Sequence, residues 1–153
     1  MAVGLMAEVI IAVDGPAGSG KSSVSKAAAR ELGFGYLDTG AGYRAFAIHK
    51  SNFPDLELAQ LIENFDYSIS IVPDNELVML SGVDVTAEIR TAAVSEAVSF
   101  VAKEQLVRNL QLQDARKRIT DCPNRGIIVE GRDITTVVAP EAILKVLLTA
   151  SPS

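Results

Sequence analysis

Hydrophobic residues in the first third of the chain form short continuous runs that alternate with helix-forming segments. Residues 8–13 are almost entirely apolar, which predicts a buried strand, and residues 22–30 are a strong helix former. Glycines at 33 and 35 end that helix, a short apolar strand follows at 36–37, and a second helix is expected over 41–50. This order, β-α-β-α, predicts a parallel sheet flanked by helices.

The middle of the chain follows a different pattern. A helix with apolar positions at 56, 58, 61 and 62 is followed by alternating polar and apolar residues over 66–72. A Pro-Asp-Asn turn at 73–75 and a returning strand over 76–80 come next. Alternation with period two predicts an antiparallel hairpin with one solvated face, and residues 82–86 add a third short strand. Helices over about 91–102 and 103–117 precede two further buried strands at 126–130 and 143–148. We therefore predict an α/β fold with a small antiparallel β insert.

Composition narrows the classes of function. The 153 residues carry 14 basic and 19 acidic side chains, a net charge of −5, which argues against a nucleic-acid-binding surface or a basic membrane patch. Cys122 is the only cysteine, so no intramolecular disulfide is expected, and it is interpreted as a small residue in a Cys-Pro turn. No apolar run reaches a membrane span and no signal-peptide pattern is recognised, so a cytoplasmic location is expected.

The motif with the clearest chemistry lies directly after the first predicted strand. Residues 15–22 complete the pattern G-x-x-x-x-G-K-S/T and open onto a helix. Strand, glycine-rich turn and helix N-terminus together point backbone N–H groups and a positive dipole end at an anion. Lys21 would then reach the β- and γ-phosphates of a nucleoside triphosphate and the Ser22 hydroxyl would face Mg²⁺. The alternative is a glycine-rich turn that binds no ligand.

Two further segments are candidate sites. Thr39 and Arg44 flank the start of the second predicted helix, either as a second anion site or as a helix cap beside a solvated arginine. Glu130 ends a hydrophobic strand, where an acid can hold Mg²⁺ directly or through water. Arg132 and Asp133 follow it at the sheet edge where α/β folds bind ligands, although they could instead form a structural pair.

Taken in order, these motifs are more specific than any one of them. The apolar strand is followed by GPAGSGKS, DTGAGYR at 38–44, the β insert, AEIRT at 87–91, Val107-Arg108 and EGRDITTVV at 130–138. From about residue 8 to residue 149 this order resembles bacterial cytidylate kinases, a nucleoside monophosphate kinase family of P-loop kinases. The resemblance implies one P-loop nucleotide kinase domain over 1–153, with a nucleoside-monophosphate-binding β insert at about 63–102.

The resemblance also implies an activity and a set of residues. In this family the γ-phosphoryl group of ATP passes to CMP or dCMP with Mg²⁺, giving ADP and CDP or dCDP. It implies that Lys21, Arg132 and Asp133 take part in transfer, and that Ser22 and Glu130 serve Mg²⁺. ATP phosphates would bind the loop formed by Gly15, Pro16, Ala17, Gly18, Ser19, Gly20, Lys21, Ser22 and Ser23. CMP would bind Thr39, Tyr43, Arg44, Ser99, Arg108, Arg132 and Asp133. Nucleotides are the only partners implied, with no nucleic acid or membrane, and a full-length chain is expected to be a monomer.

The sequence also departs from the family pattern. Family members continue well past the strand that ends near residue 149, with an Arg-rich lid and adenine-contacting segments, so this chain is expected to be truncated before the lid. Weak or absent turnover follows as an expectation, because an open site excludes water poorly. Gly42 replaces a larger apolar residue, which is expected to reduce packing near the acceptor site.

Other functions fit less of the sequence. A GTPase would share the phosphate loop, but the guanine-binding string N-K-x-D is absent. Another P-loop small-molecule kinase would lack the combination of β insert, E-I-R and GRD. A non-catalytic nucleotide-binding fragment stays open as an alternative. His49, the only histidine, lies outside every motif and is expected at the surface.

Overall fold

The computed structural model describes residues 7–16 and 18–149, which divide into two compact units. Within these residues the first unit comprises 7–39, 71–75 and 114–149, and the second comprises 40–70 and 76–113. The strands are β1 (Val9–Asp14), β2 (Gly35–Asp38), β3 (Tyr67–Ile69), β4 (Val78–Leu80), β5 (Val83–Asp84), β6 (Gly126–Gly131) and β7 (Leu144–Leu147). The α-helices are α1 (Lys21–Leu32), α2 (Gly40–Asn52), α3 (Leu58–Glu63), α4 (Ala92–Ala102) and α5 (Gln105–Thr120).

A parallel sheet with strand order β2-β6-β1-β7 forms the centre of the first unit. Its central strands β1 and β6 are apolar except for an acid near the end of each, Asp14 and Glu130, and β6 is buried at every position. Val13, Ala29, Tyr36 and Ile128 form a buried cluster between the sheet and α1. The predicted parallel α/β architecture is therefore confirmed.

The register of the sheet decides which residues meet at its carboxyl edge. Asp14 at the end of β1 pairs with Gly131 at the end of β6, and Asp38 at the end of β2 pairs with Glu130. The segments that follow these strands therefore leave the sheet from one edge. Those segments are the phosphate loop, the Arg132–Asp133 loop and the start of α2.

The second unit contains the predicted β insert. Strands β3, β4 and β5 pair antiparallel in chain order, which confirms the hairpin, although its strands are shorter than the alternating runs. Helices α2 and α4 pack together, and the core of the unit includes Phe46, Leu61, Ile89 and Val107. A 3-10 turn at Glu88–Arg90 places Ile89 in that core.

The expectation that His49 lies at the surface is wrong. Its side chain is only 1% exposed, and its ring contacts the rings of Phe46, Phe53 and Phe65. Its Nε2 atom hydrogen bonds with the Leu61 carbonyl at 2.9 Å. His49 lies on the buried face of α2, one turn after Phe46, so helix periodicity was the signal that could have located it.

The described part of the chain holds no helix that is both long enough and apolar enough to span a bilayer.

Candidate nucleotide-binding site

The phosphate loop joins β1 to α1, as the sequence predicts. Gly18 and Gly20 have φ angles of 79° and 83°, and Gly20 is the residue from which α1 begins. These left-handed conformations favour glycine, which explains the spacing of the motif. The Nζ atom of Lys21 donates to the Pro16 carbonyl at 3.4 Å, so the lysine side chain folds back over the loop. Ala17, also assigned to this loop, lies outside the described residues.

Glu130 is the buried acid of this site. Its Oε1 atom accepts hydrogen bonds from the Ser22 hydroxyl at 2.6 Å and from the Tyr36 hydroxyl. Its Oε2 atom is buried and has no hydrogen-bond partner among the described residues. Burial, helped by the charge of Asp38, raises the pKa of Glu130, while the bonds from Ser22 and Tyr36 and the charge of Lys21 lower it.

Tyr36 stays neutral for related reasons. Burial, followed by the negative charges of Asp38 and Glu130, raises the pKa of its hydroxyl. A neutral phenol can keep donating to the Glu130 carboxylate. The sequence pattern indicates Tyr36 only as a strand residue. Tyr36 lies in β2 and pairs with Ile128 of β6, two residues before Glu130. This register brings the Tyr36 hydroxyl to the Glu130 carboxylate.

Thr39 lies beside the end of β6. Its hydroxyl donates to the Glu130 carbonyl at 2.9 Å, and its backbone N–H donates to the same oxygen at 3.1 Å. A Cβ atom on Gly131 would lie 2.1 Å from the Thr39 hydroxyl oxygen, so glycine is required for this close approach. Thr39 is thereby held at the carboxyl edge of the sheet.

Arg132 and Asp133 are exposed residues in the loop that follows β6. Asp133 has a φ of 55°, a left-handed conformation that is uncommon for a residue other than glycine. A π-helical turn, Ile134–Val138, begins directly after it, in a segment that the sequence pattern indicates only as a connection. The conformation of Asp133 starts this turn, because the Asp133 carbonyl accepts from the backbone N–H groups of Val137 and Val138.

Asp14 is a residue at this edge that the sequence motifs did not identify. Its Oδ1 atom accepts from the Ile134 N–H at 2.7 Å, and its Oδ2 atom accepts from the Thr135 N–H at 3.2 Å. The Thr135 hydroxyl also donates to Oδ2, at 2.6 Å. The available signal was an acid at the end of a buried strand, the same signal that singled out Glu130.

The remaining predicted CMP-binding residues belong to the second unit. Tyr43 packs against the core of that unit and Arg44 is half-buried, both in α2. Ser99 in α4 is exposed, and its hydroxyl donates to the Glu96 carbonyl at 2.9 Å. Arg108 in α5 is exposed. The first unit thus brings the phosphate loop, Thr39, Glu130, Arg132 and Asp133 to one edge, while these four residues are placed on helices of the second unit.

Gly42 in α2 is packed more closely than expected. A Cβ atom there would lie 2.1 Å from Oε1 of Gln111, whose Nε2 atom donates to the Gly42 carbonyl at 3.1 Å. Gln111 itself is buried. The expected loss of packing at Gly42 is wrong, because the side-chain amide of Gln111 occupies the space.

Comparison with known proteins identifies the family. The family model described as cytidylate kinase matches residues 11–153, nearly the whole chain. The chain belongs to the cytidylate kinase family. Cytidylate kinase of Mycobacterium leprae is 44% identical over 150 residues, covering 96% of this chain and 66% of the relative. Cytidylate kinase of Rhodococcus opacus is 47% identical over 149 residues, covering 94% and 64%.

Membership of the cytidylate kinase family confirms the resemblance that the motifs indicated. The chain is also similar to part of a larger protein, a bifunctional pantoate ligase/cytidylate kinase of Prochlorococcus marinus, with 44% identity over 151 residues. That match covers 94% of this chain and 28% of the relative. The chain therefore spans about two thirds, or less, of the curated relatives it matches.

Proposed function

We propose that this protein transfers the γ-phosphoryl group of ATP to the phosphate of CMP or dCMP, giving ADP and CDP or dCDP. The observation that carries the proposal is the cytidylate kinase family match over residues 11–153. The strand, phosphate loop and helix at the sheet edge support it, because they form the anion site that a phosphate donor requires. The acceptor is already an anion, so positioning and charge neutralisation suffice and no strong general base is needed.

ATP phosphates are proposed to bind the loop from Gly15 to Ser23. Lys21 supplies the positive charge of the loop, and the weak 3.4 Å bond from its Nζ atom to the Pro16 carbonyl is easily exchanged for phosphate oxygens. In transfer, Lys21 would offset the charge that develops on the moving phosphoryl group. This role needs only a positioned cation, and nothing covalent is formed with the protein.

The residues at the end of β6 fit a magnesium ion. The Oε2 atom of Glu130 is a buried carboxylate oxygen with no partner among the described residues, and the Ser22 hydroxyl lies 2.6 Å from Oε1 of the same carboxylate. Carboxylate and hydroxyl oxygens are the ligands that Mg²⁺ prefers, often with water between. When bound, Mg²⁺ would neutralise phosphate charge. Ser22 and Glu130 would hold it, directly or through water.

The acceptor phosphate is proposed to bind Thr39, Arg44 and Arg132, and Tyr43 is proposed to belong to the same CMP site. Ser99, Arg108 and Asp133 are proposed to recognise cytosine. A carboxylate can accept from the N4 amino group of cytosine, and an arginine can donate to O2 or N3. Uracil carries O4 in place of the amino group, so Asp133 would then face another acceptor, and polar sites reject such mismatches strongly.

A direct product assay tests the function. ATP, Mg²⁺ and each of CMP, dCMP, UMP and AMP would be incubated with the protein, and CDP, dCDP, UDP and both adenine nucleotides quantified by chromatography. We expect CDP and dCDP to form in preference to UDP, and Asp133→Ala to lower the CMP/UMP ratio of kcat/KM by about tenfold or more. Glu141→Ala removes an exposed acid outside the proposed site and serves as the control.

The outcomes separate the function from its details. Preferential phosphorylation of UMP or AMP by the unmodified chain would overturn the proposed substrate. Nucleotide binding without product would favour a non-catalytic nucleotide-binding protein instead. An unchanged CMP/UMP ratio in Asp133→Ala would show that another group recognises the base.

We also propose that the chain is a single kinase domain in which the β insert at about 63–102 is the monophosphate-binding part. We further propose that the protein is a monomer and is located in the cytoplasm, where both nucleotides are available.

A further inference from the structure

The π-helical turn after Asp133 is capped by a side chain from another strand. Asp133 occupies the capping position, yet its side chain makes no capping hydrogen bond. The carboxylate of Asp14, at the end of β1, instead accepts from the Ile134 N–H, the Thr135 N–H and the Thr135 hydroxyl. Three charge-assisted bonds to one carboxylate make a strong attachment.

The other end of the same turn is also held. Arg116 in α5 donates from Nη2 to the Val137 carbonyl at 2.8 Å and from Nε to the Val138 carbonyl at 3.4 Å. An anion at the amide end and a cation at the carbonyl end both complement the dipole of the turn. Asp14 and Arg116 therefore hold Ile134–Val138 from its two ends, with charges of the favourable sign at each.

This arrangement has a consequence for Asp133. A residue at the start of a helical turn ordinarily uses its own side chain to bind the exposed N–H groups. Because Asp14 satisfies the first two N–H groups here, the Asp133 carboxylate is not used for capping and remains exposed. The same bonds begin one residue after Asp133, so they help to maintain its left-handed φ of 55°.

We propose that Asp14 is a positioning residue, which holds the loop so that Arg132 and Asp133 are presented to the acceptor nucleotide. The inference rests on the proposed function, because it concerns how Arg132 and Asp133 are held in the position from which they are proposed to bind CMP. Asp14 directly precedes Gly15 in the chain, and its backbone pairs with Gly131. One side chain therefore connects the start of the donor phosphate loop with the acceptor loop, and Arg116 supports that loop from its far end.

Asp14→Ala and Asp14→Asn test the proposal, because they remove the three bonds to different extents. Alanine removes every acceptor, whereas the asparagine side chain keeps one oxygen that can still accept from the Ile134 N–H. Amide hydrogen exchange at Ile134 and Thr135 would be measured by NMR, and CMP and UMP binding by calorimetry. We expect exchange at both amides to rise by about tenfold or more in Asp14→Ala and by less in Asp14→Asn.

Nucleotide binding distinguishes positioning from a merely structural role. In Asp14→Ala the affinity for CMP should fall by about tenfold and the CMP/UMP affinity ratio should fall with it, while Asp14→Asn recovers part of both. Asp121→Asn, which removes an exposed carboxylate paired with Lys117, is the matched control and should leave both measurements unchanged. Thr135→Val and Arg116→Gln weaken the same attachment individually, and they supply the test if Asp14→Ala fails to fold.

Each result decides the question. Unchanged exchange at Ile134 and Thr135 in Asp14→Ala would overturn the capping role. Faster exchange with an unchanged CMP/UMP ratio would overturn the positioning role. Failure of the unmodified protein to bind CMP would overturn the proposed function and the positioning that serves it, whereas the exchange measurement would still report the cap.

Discussion

Glu130 illustrates what a single residue contributes to this site. The sequence indicated an acid at the end of a buried strand. The structure adds that this acid is 1% exposed and that one of its oxygens has no hydrogen-bond partner among the described residues. Ser22 and Tyr36 compensate for only part of its burial, because both donate to the same oxygen. A charge kept under these conditions costs stability unless a cation is bound.

In the absence of nucleotide and Mg²⁺, we expect the difference in stability between the unmodified protein and Glu130→Gln to depend on pH. The pKa of Glu130 is raised above its ordinary value of 4.5, so the unfolded chain releases this proton at lower pH than the folded chain does. The contribution of Glu130 is therefore most favourable below about pH 4.5 and is lost as pH rises toward the raised pKa. The stability of the unmodified protein relative to Glu130→Gln should fall from pH 4.5 to pH 7.5.

Urea unfolding of both proteins across this pH range measures the difference directly. Glu141→Gln removes the same charge from an exposed position and corrects for the change in net charge. A difference that stays constant or grows with pH would contradict the expectation. Addition of Mg²⁺ and ATP should shift the difference in favour of the unmodified protein at neutral pH, if Glu130 serves the metal.

At the scale of elements, the hydrophobic pattern predicted strands and helices correctly where tertiary packing favoured the same conformation as the local sequence. The apolar runs at 8–13 and 126–130 correspond to β1 and β6, the alternating run corresponds to β3, and the returning strand corresponds to β4. The predicted helix starting near residue 103 begins instead at Gln105, and the segment after Asp133 forms a π-helical turn. That turn depends on Asp14 and Arg116, which lie far away in sequence, so no local pattern could reveal it.

The packing of α2 against Gln111 gives a test of Gly42. In a Gln111→Ala background, Gly42→Ala should stabilise the protein by up to about 1 kcal/mol, because alanine is the better helix former and the space is free. In the presence of Gln111 the same substitution should be neutral or destabilising, because the Gln111 amide lies 2.1 Å from the new Cβ position.

A double-mutant cycle from chemical unfolding gives the coupling between the two positions. Ala27→Gly, at an exposed position of α1, calibrates the alanine-to-glycine difference in a helix that does not include this pair. Equal effects of Gly42→Ala in both backgrounds would show that Gln111 moves aside freely and does not fill the site.

At the scale of the whole molecule, the proposed site residues come from segments spread over more than 100 residues of sequence. Parallel pairing explains how β1, β2 and β6 place their following segments at one edge of the first unit. Tyr43, Arg44, Ser99 and Arg108 are carried by helices of the second unit. Donor and acceptor binding can therefore be tested separately, through the stability that each nucleotide adds.

Lys21→Ala should abolish stabilisation by ATP while it preserves stabilisation by CMP. A ligand at 100 times its Kd stabilises a folded protein by about 2.7 kcal/mol, enough for a clear shift in Tm. The reason for the separation is that Lys21 belongs to the phosphate loop, whereas CMP is proposed to bind other residues.

Thermal unfolding with ATP, CMP or neither would measure both effects. Lys26→Ala is the matched control, since Lys26 lies in the same helix α1 but outside the loop, with its Nζ atom 5.7 Å from the centre of the Tyr36 ring. Loss of the CMP shift in Lys21→Ala, or of the ATP shift in Lys26→Ala, would contradict the assignment.

The sequence by itself determined the features that depend on neighbours along the chain. The phosphate loop requires glycine at the left-handed positions 18 and 20, next to a lysine and the start of a helix. All of these residues lie within one short segment, so the sequence alone reveals the motif. Strand and helix periodicity and the family motifs are local in the same way. These features were sufficient to indicate the α/β fold, the family and most candidate residues.

Tertiary structure alone decided the contacts that join distant segments. It assigned Tyr36 to Glu130, Asp14 to the turn after Asp133, Gln111 to Gly42, and His49 to the core of the second unit. Each of these side chains looks unremarkable in its own segment, because its partner is brought to it by strand pairing or helix packing. The physical reason is that polar groups inside a fold must find partners wherever packing places them, and that placement is a property of the whole chain.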